Sequence, residues 1–567
     1  MLINSLQNHN FLLSKLIQLK DLPYATLHFS QIHNPNDFTY NTMIRGLTKT
    51  WSNYTSAIQL YHQMRSSRFR PNNYTYPFVL IACANLNSLN IGRTTHSSVL
   101  KTGLGSDGHV AHCLITMYSR CGQLGCARRV FDGILDRDLV SWNSMISGYS
   151  KAGYAEEAVG MFGRMREEGF GPSETTLVSV LGACGDLGGL ELGRWVEGFA
   201  GENGFALNSF LGSALISMYG KCGDLESAKR VFEGMTTMDS VTWNALITGY
   251  AQNGVWDKAI NTFQQMRSEG TIEPDNITMV GVLSACASIG ALELGSWIDK
   301  HTSQKGVRHD VYVGTALIDM YSKCGDLDRA LQIFNDMPWR NTVSWNVMIS
   351  ALASHGRPQE ALSLFGRMRE EKDKRVSPDD ITFIGVLSAC VHVGWVEEGR
   401  GWFESMRGEF GLVPKIEHYT CMVDLLARTG RLDEACEFIE SMPKKPDGVT
   451  LGTVLCACRK FNNVKVGERI ANMLLEVEPS NSGNYVISSK LFANSKRWED
   501  SAKMKGLMRE RGVVKTPGCS WIEGDDQVHE FRSGDGSHYR AGEIYLMMDL
   551  LCEEMRIEGY IPNPSLV

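Results

Sequence analysis

The sequence predicts an all-α protein, an α-solenoid superhelix of antiparallel helix-turn-helix repeats of 31–38 residues each. Three observations lead there. Short motifs return at a long interval: Cys121, Cys222 and Cys324 each stand in an Arg/Lys-Cys-Gly context, 101 and 102 residues apart, and Cys83, Cys184, Cys286 and Cys390 each follow an alanine. Whole segments return as well. LVSWNSMISGYSKAGYAEEAVGMFGRMREEGFGPS, from Leu139 to Ser173, is echoed from Ser240, from Thr342 and, as FTYNTMIRGL, from Phe38. Finally, each copy carries a helical apolar period, Trp142, Met145, Ile146 and Tyr149 in the first half and Ala158, Phe162 and Met165 in the second.

In the copy from Leu139, Gly153 separates the two helices, and Gly169 with Pro172 stops the second. Helices this short are marginal alone in water. The units must therefore stack and share a core. Between the copies lie a unit of LVSVLGACGDLGGLELG character and a shorter one such as VYVGTALIDMYSKCGDLDRALQIFNDMPWRN, so three unit types alternate.

Composition narrows the function. The chain has 567 residues, 43% hydrophobic and 21% charged, with a net charge of -7. It has no apolar run long enough to span a membrane. The acidic total excludes an indiscriminate phosphate binder, which is normally basic, so any nucleic-acid role must rest on local placement. The fifteen cysteines contain no CxxC pair, and their recurrence at repeated apolar positions reads as small buried thiols in a reducing compartment. No HxE occurs, His529-Glu530 being adjacent, and no Walker loop, GxSxG elbow or HExxH helix is present. The expectation is of a non-enzymatic protein with no cofactor and no metal.

At about 100° per residue, Val140, Asn143 and Lys151 fall in one arc of the first helix, away from Trp142, Ile146 and Tyr149. The trio returns as Val241, Asn244 and Gln252, and as Tyr312, Thr315 and Lys323; Phe38 and Val343 hold the first of these positions in two other units. An apolar side chain, an amide or hydroxyl and a cation give a base a surface to stack on, a partner for its edge and a contact for its phosphate. The cationic stripe is Lys49, Arg120, Lys151, Lys221, Lys323 and Arg428, interrupted at Gln252 and Ser354. The alternative is that these cations are solvated or cap the helix C-terminus. An asparagine inside a helix has poor propensity, so Asn143, Asn244 and Asn346 call for a reason beyond helix stability.

These units resemble pentatricopeptide repeats of the plant PLS subclass, in which P-, L- and S-type units alternate. The resemblance divides residues 37–447 into twelve units, with 1–36 holding a degenerate N-terminal repeat, 448–516 resembling E-type motifs and 517–567 the E+ extension. TPGCSWIE and EIYLMMDLLCEEMRIEGYIP carry the last likeness. The resemblance implies one RNA base per unit, read by the fifth residue of the unit with its last residue. The pairs are Asn41 with Asn72, His112 with Asp138, Asn143 with Ser173, Ser213 with Asp239, Asn244 with Asp275, Thr315 with Asn341, Asn346 with Asp379, and Thr420 with Asp447. By the same resemblance Asn-Asp favours uracil, Thr-Asn adenine, Ser-Asp and Thr-Asp guanine, and Asn-Asn or Asn-Ser a pyrimidine, while His112 with Asp138 departs from the pattern and stays open. The L-type units carry Pro77, Val178, Val280 and Ile384 at the fifth position. Such side chains offer no hydrogen bond to a base edge and make those units spacers.

The family resemblance further implies site recognition for C-to-U RNA editing in a mitochondrion or chloroplast, the mitochondrion ahead, on single-stranded organellar RNA, with the protein a monomer on RNA and off the membrane. A deaminase-bearing protein would join in trans through the E/E+ region, because related proteins run on past this point into a zinc deaminase domain and this sequence stops at NPSLV. The segment MLINSLQNHNFLLSKLIQLK already reads as repeat, without a transit peptide. In the E+ segment, Glu543, Tyr545, Ile544, Met548, Leu551 and Met555 fit an amphipathic helix that either docks that partner or packs on the preceding E-type helices. Splicing or stability of organellar RNA, and a protein-binding scaffold, are the alternative functions; the second predicts no polar and basic stripe at a fixed repeat position.

Overall fold

The computed structural model describes the chain apart from residues 1, 33–34, 68, 305–309, 372, 374, 516–517, 525–526, 533–535 and 558–567. The boundary set between 516 and 517, and the final NPSLV, therefore lie outside the described residues. There are two bodies, Met1–Glu273 and Pro274–Val567. Each is a stack of antiparallel helix pairs.

The first body opens with the pair Leu2–Gln18 and Leu22–Ser30 and continues through six further pairs plus Ser240–Gln252 with Trp256–Glu269. The second runs from Asn276–Ile289 with Leu292–Gln304 to Ser482–Asn494 with Trp498–Glu510. From Asp37 to Gly448 the first helix of each unit starts on the unit's first residue, except Tyr76–Asn85, which starts late with Pro77 in its first turn. The last residue of each preceding unit is then the helix N-cap. Asp138, for example, accepts from the Ser141 amide at 2.8 Å, and the Ser141 hydroxyl completes a capping box.

Burial follows the apolar period. Trp142, Trp243 and Trp345 are fully enclosed, each edge-on to the Phe of the preceding unit (Phe131, Phe232, Phe334) at 4.9, 4.8 and 5.0 Å between ring centres. Each such ring contributes roughly 2–3 kcal/mol by leaving water. Gly153 (φ 79°) and Gly169 (φ 87°) take left-handed conformations that a side chain would strain, which ends the two helices of that unit. The glycine of the LELG motif has a different cause. A Cβ on Gly92, Gly193 or Gly295 would come within 2.4 Å of the thioether end of Met117, Met218 or Met320 of the next unit, so the methionine tip seats on the bare glycine and would have to turn aside for a larger residue.

The cysteines are free, and Cys83, Cys184, Cys286, Cys390 and Cys458 are buried. Burial pushes the thiols of Cys83 and Cys458 up to about 12 and those of Cys184 and Cys390 up to about 11. No helix among the described residues is long and apolar enough to cross a membrane.

The E+ segment departs from the repeats. Cys519–Gly524 (β1) pairs antiparallel with Gln527–Arg532 (β2), Ile522 opposite His529. This hairpin adds strands to an otherwise helical chain, and it rests on the alternating, β-branched and aromatic run either side of Gly524. The helix Ala541–Ile557 follows and buries none of its residues. The alternative in which its apolar face packs on the E-type helices is thereby overturned: Tyr545, Met548 and Leu551 are each more than half exposed.

Candidate nucleic-acid interface

The fifth and last residues of a unit meet where one unit joins the next. Asn143 donates from Nδ2 to Ser173 Oγ at 3.0 Å and accepts at Oδ1 from Thr176 Oγ1 at 2.5 Å. Asn41 is bonded likewise to Asn72 (3.1 Å) and Thr75 (2.6 Å), and Asn346 to Asp379 (2.9 Å) and Thr382 (2.6 Å). Each amide keeps one N–H and one oxygen lone pair for another partner. These bonds supply the asparagines with a structural role, a link from the helix interior to the next unit's capping box. They also bury the amides more than a solvent-facing arc implies: Asn346 is 4% exposed, and only Asn143 is half-buried.

Hydroxyls at the fifth position reach the cap through an intermediary. Thr315 Oγ1 lies 2.7 Å from Ser344 Oγ, which donates to Asn341 at 2.9 Å. Thr420 reaches Asp447 through Thr450 in the same way, at 2.6 and 2.7 Å. His112 Nε2 lies 3.1 Å from Asp138 Oδ1 and 3.0 Å from Ser141 Oγ. Burial acts to raise the Asp138 carboxyl, but the Ser141 hydroxyl and amide, together with His112, prevail and hold it below the ordinary carboxylate range. Ser213 instead turns back to the Phe210 carbonyl at 3.3 Å, and Asp239 caps the next helix, accepting from the Thr242 amide at 2.9 Å. Asn244 belongs to the first body and Asp275 to the second; Asp275 caps its own helix, accepting from Thr278 at 2.9 Å.

The stacking positions are open. Phe38, Val140, Val241, Tyr312 and Val343 are all more than half exposed. So are Tyr74, Phe210, Ile277, Ile381 and Val449, which sequence reasoning passed over. All ten are the second residue of a unit, and extending the period from the first five copies to the remaining S-type, L-type and E-type segments finds the other five.

The cations at position 13 differ by unit type. Lys151 is exposed and makes no ion pair among the described residues, and Lys49 lies 5.6 Å from the Phe78 ring centre. Every S-type cation is held: Arg120 by Asn85 (2.7 Å), Lys221 by Asp186 (2.6 Å), Lys323 by Asp319 (2.9 Å) and Arg428 by Asp424 (2.8 Å). Asn85 and Asp186 are themselves position 13 of the preceding L-type units. Where that position is Ser288 or His392, the S-type unit supplies its own carboxylate one turn earlier. A phosphate must compete with these acceptors.

A cavity of about 810 Å³ gathers the three stripes in one place, lined by Arg120, Val140, Asn143, Lys151 and Thr175 among others. Among the described residues, no group of three or more His, Cys, Asp or Glu side chains is placed to hold a metal ion.

Comparison with known proteins agrees with this architecture. The PPR repeat family matches residues 35–85, 238–288 and 340–392, the PPR repeat matches 140–170, 213–239, 315–342, 381–409 and 417–446, and the E motif matches 461–523. A chloroplastic pentatricopeptide repeat-containing protein of Arabidopsis thaliana is 40% identical over 99% of this chain and 80% of its own length. A mitochondrial one from the same plant is 37% identical over 98% of this chain and 87% of its own length. Among solved structures, PPR10 of maize, in complex with an 18-nt psaJ RNA element, aligns over 89% of this chain and 84% of its own with a TM-score of 0.51 at 18% identity, a likeness of fold. With helix pairs, repeat matches and relatives along nearly its whole length, this chain belongs to the pentatricopeptide repeat family and carries an E motif.

Proposed function

We propose that this chain is a sequence-specific binder of single-stranded organellar RNA that selects a site for C-to-U editing and brings in a deaminase-bearing protein in trans. The observation that carries the reading is the joint around Asn143. There an exposed apolar side chain, a half-satisfied amide and a free lysine line one cavity, matching the needs of a base's face, its edge and its phosphate. The twelve units of 37–447 read RNA in parallel orientation. Their order is pyrimidine, two open positions, pyrimidine, an open position, G, U, an open position, A, U, an open position and G. Residues 448–567 supply the recruiting surface, which the exposed Tyr545, Met548 and Leu551 support. Chloroplastic and mitochondrial relatives support an organellar site of action.

The chain does no chemistry on RNA. Hydrolytic deamination needs a zinc-activated water and a carboxylate proton shuttle in one pocket, and the sequence has neither HxE nor CxxC. A binding selection on the purified chain tests recognition; enrichment unrelated to G-U-N-A-U would sink the assignment of bases to units. Purified chain incubated with its target should leave cytidine intact, and truncation after Asp447 should spare affinity while abolishing editing in the organelle. Editing that survives the truncation would remove the tail from the mechanism.

A further inference from the structure

The groove around Asn143 recurs once beyond the last repeat. A second cavity, about 670 Å³, is lined by Arg428, Val449, Gly452, Lys460, Glu478 and Asn481 among others. Counted from Gly448, where the E-type helix Gly448–Phe461 begins, these residues hold the same positions as those around Asn143. Arg428 is position 13 of the preceding unit, Val449 position 2, Gly452 position 5, Lys460 position 13, and Asn481 caps the following helix. Val449 is 67% exposed, like the stacking positions of the repeats. Two substitutions distinguish this groove. Gly452 replaces the amide or hydroxyl, and a Cβ there would meet nothing within 4 Å, so the groove is open down to the helix backbone. Gly448 clears the other end: a Cβ on it would collide with the Glu478 carboxylate, so glycine admits that carboxylate to the helix N-terminus, where the backbone dipole favours it. Glu478 Oε2 accepts from Asn481 Nδ2 at 2.8 Å and from Asn484 Nδ2 at 3.4 Å, while Oε1 makes no hydrogen bond among the described residues.

We infer that this groove takes one further nucleotide, immediately 3′ of the twelve read by the repeats, and that Glu478 selects guanine there. The inference rests on the RNA-binding function proposed above. A carboxylate accepts hydrogen bonds and donates none. Guanine alone presents two adjacent donors on its Watson–Crick edge, N1–H and the N2 amino group, which match the two oxygens of one carboxylate. Cytosine and adenine each offer a single amino group beside an acceptor, and uracil flanks its one N–H with two carbonyls that a carboxylate repels. Val449 gives the base its stacking surface, and Lys460 stands where Lys151 stands in the repeat groove. The absent side chain at position 5 leaves room for a purine.

The test uses the full chain and RNAs carrying the twelve-nucleotide core, unextended or extended at the 3′ end by G, A, C or U, with affinity read by fluorescence anisotropy. The G-extended RNA should bind about tenfold more tightly than the U-extended one, the scale of a bidentate base contact. Glu478→Gln should erase that difference and leave affinity for the unextended core unchanged. Gly452→Leu should remove the gain from every extension by filling the groove, and circular dichroism of both variants checks that the helices persist. Wild-type chain that binds the core but gains equally from all four extensions overturns the inference and leaves the RNA-binding function standing, as does a G preference that survives in Glu478→Gln. Failure to bind the core at all overturns both.

Discussion

Two kinds of joint hold each stack together, and they place their polar groups differently. Where a P-type unit meets the next, or an S-type unit meets a P-type one, polar bonds gather at position 5 and the following cap, as at Asn346–Asp379–Thr382 and Thr315–Ser344–Asn341. Where an L-type unit meets an S-type one, position 5 is apolar and the polar bond runs from the L-type second helix to a tyrosine in the S-type first helix. His96 meets Tyr118 at 2.9 Å, and Glu197 accepts from Tyr219 and from Arg230. Asp299 accepts from Tyr321 at 3.1 Å and from Arg329 at 2.6 Å. In the fourth such joint the bond is gone and Phe403 packs edge-on to Tyr419. Units with one helical pattern thus divide two tasks. One kind of joint leaves amides with unused hydrogen-bonding capacity, as the proposed RNA contacts require, and the other satisfies its polar groups internally.

The largest test of that division is stability. Asp299 is 1% exposed. Asp299→Ala leaves the Tyr321 hydroxyl and the Arg329 guanidinium without their carboxylate and should cost about 2–3 kcal/mol, somewhat below a wholly buried pair because Arg329 is partly solvated. Asn346→Ala removes one hydrogen bond to the Asp379 carboxylate and one from the Thr382 hydroxyl, leaves no charge without a counter-charge, and should cost about 1–2 kcal/mol. Hydrogen exchange of amides beside each joint is the appropriate measure, because a solenoid opens locally rather than all at once. Equal opening at both joints would erase the distinction.

Next in size is base choice. Thr315→Asn with Asn341→Asp should convert one base preference from A to U, with a discrimination of about 1–3 kcal/mol, read by competition binding of the two RNAs. The same exchange at an L-type unit, Val280→Asn, should leave selectivity unchanged if those joints set spacing only.

Most of the architecture was legible because periodicity constrains it heavily. The recurrence of Trp142, Trp243 and Trp345 and of the cysteine motifs marks the units, and every first helix from Asp37 to Gly448 except Tyr76–Asn85 begins where that period puts it. The second-position stripe was legible too, although five of its members were missed by following only the best-preserved copies. The partners were not legible. Nothing local tells that Asp186 will hold Lys221, 35 residues away, since that pairing arises only when two units stack. Nor does the amphipathic pattern of Ala541–Ile557 tell whether its apolar side is covered, because helical period reports a face and not its neighbour. The hairpin at Cys519–Arg532 lay hidden inside a segment assigned by likeness instead of by its own alternation.

The position-13 cations give a smaller effect with a clear sign. A Lys151, Lys221 and Lys323 to Ala variant should bind all sequences more weakly with base preference intact. Singly, Lys151→Ala should lower the salt dependence of log K by about 0.7, the value for one single-strand phosphate contact, and Lys221→Ala by less, because phosphate must first displace Asp186. Asp186→Asn should then raise affinity and bring the Lys221 contribution up to that of Lys151. A triple variant whose salt slope equals wild type would show that none of these lysines touches phosphate.

The smallest expected effect separates two caps of the polar kind of joint, the charged Asp138 and the neutral Asn341. The Asp138 carboxyl sits below its ordinary value because the Ser141 hydroxyl, the Ser141 amide and His112 outweigh the opposing influence of burial. A carboxyl depressed in the folded state favours folding in its ionised form, so its contribution is complete above the unfolded value near 3.8 and is lost as pH falls through the lower folded value. The Asp138 side chain is 57% exposed, which keeps the contribution to a few tenths of a kcal/mol once solvent screening is counted. Exchange rates of the amides in the first turn of Leu139–Lys151 should therefore rise relative to those of Thr342–Ser354 as pH drops below 4, after correction for intrinsic exchange. Asp138→Asn keeps a capping oxygen and should remove that pH dependence while holding the helix start. A relative rise that persists in the Asn variant would assign it to another group at the joint.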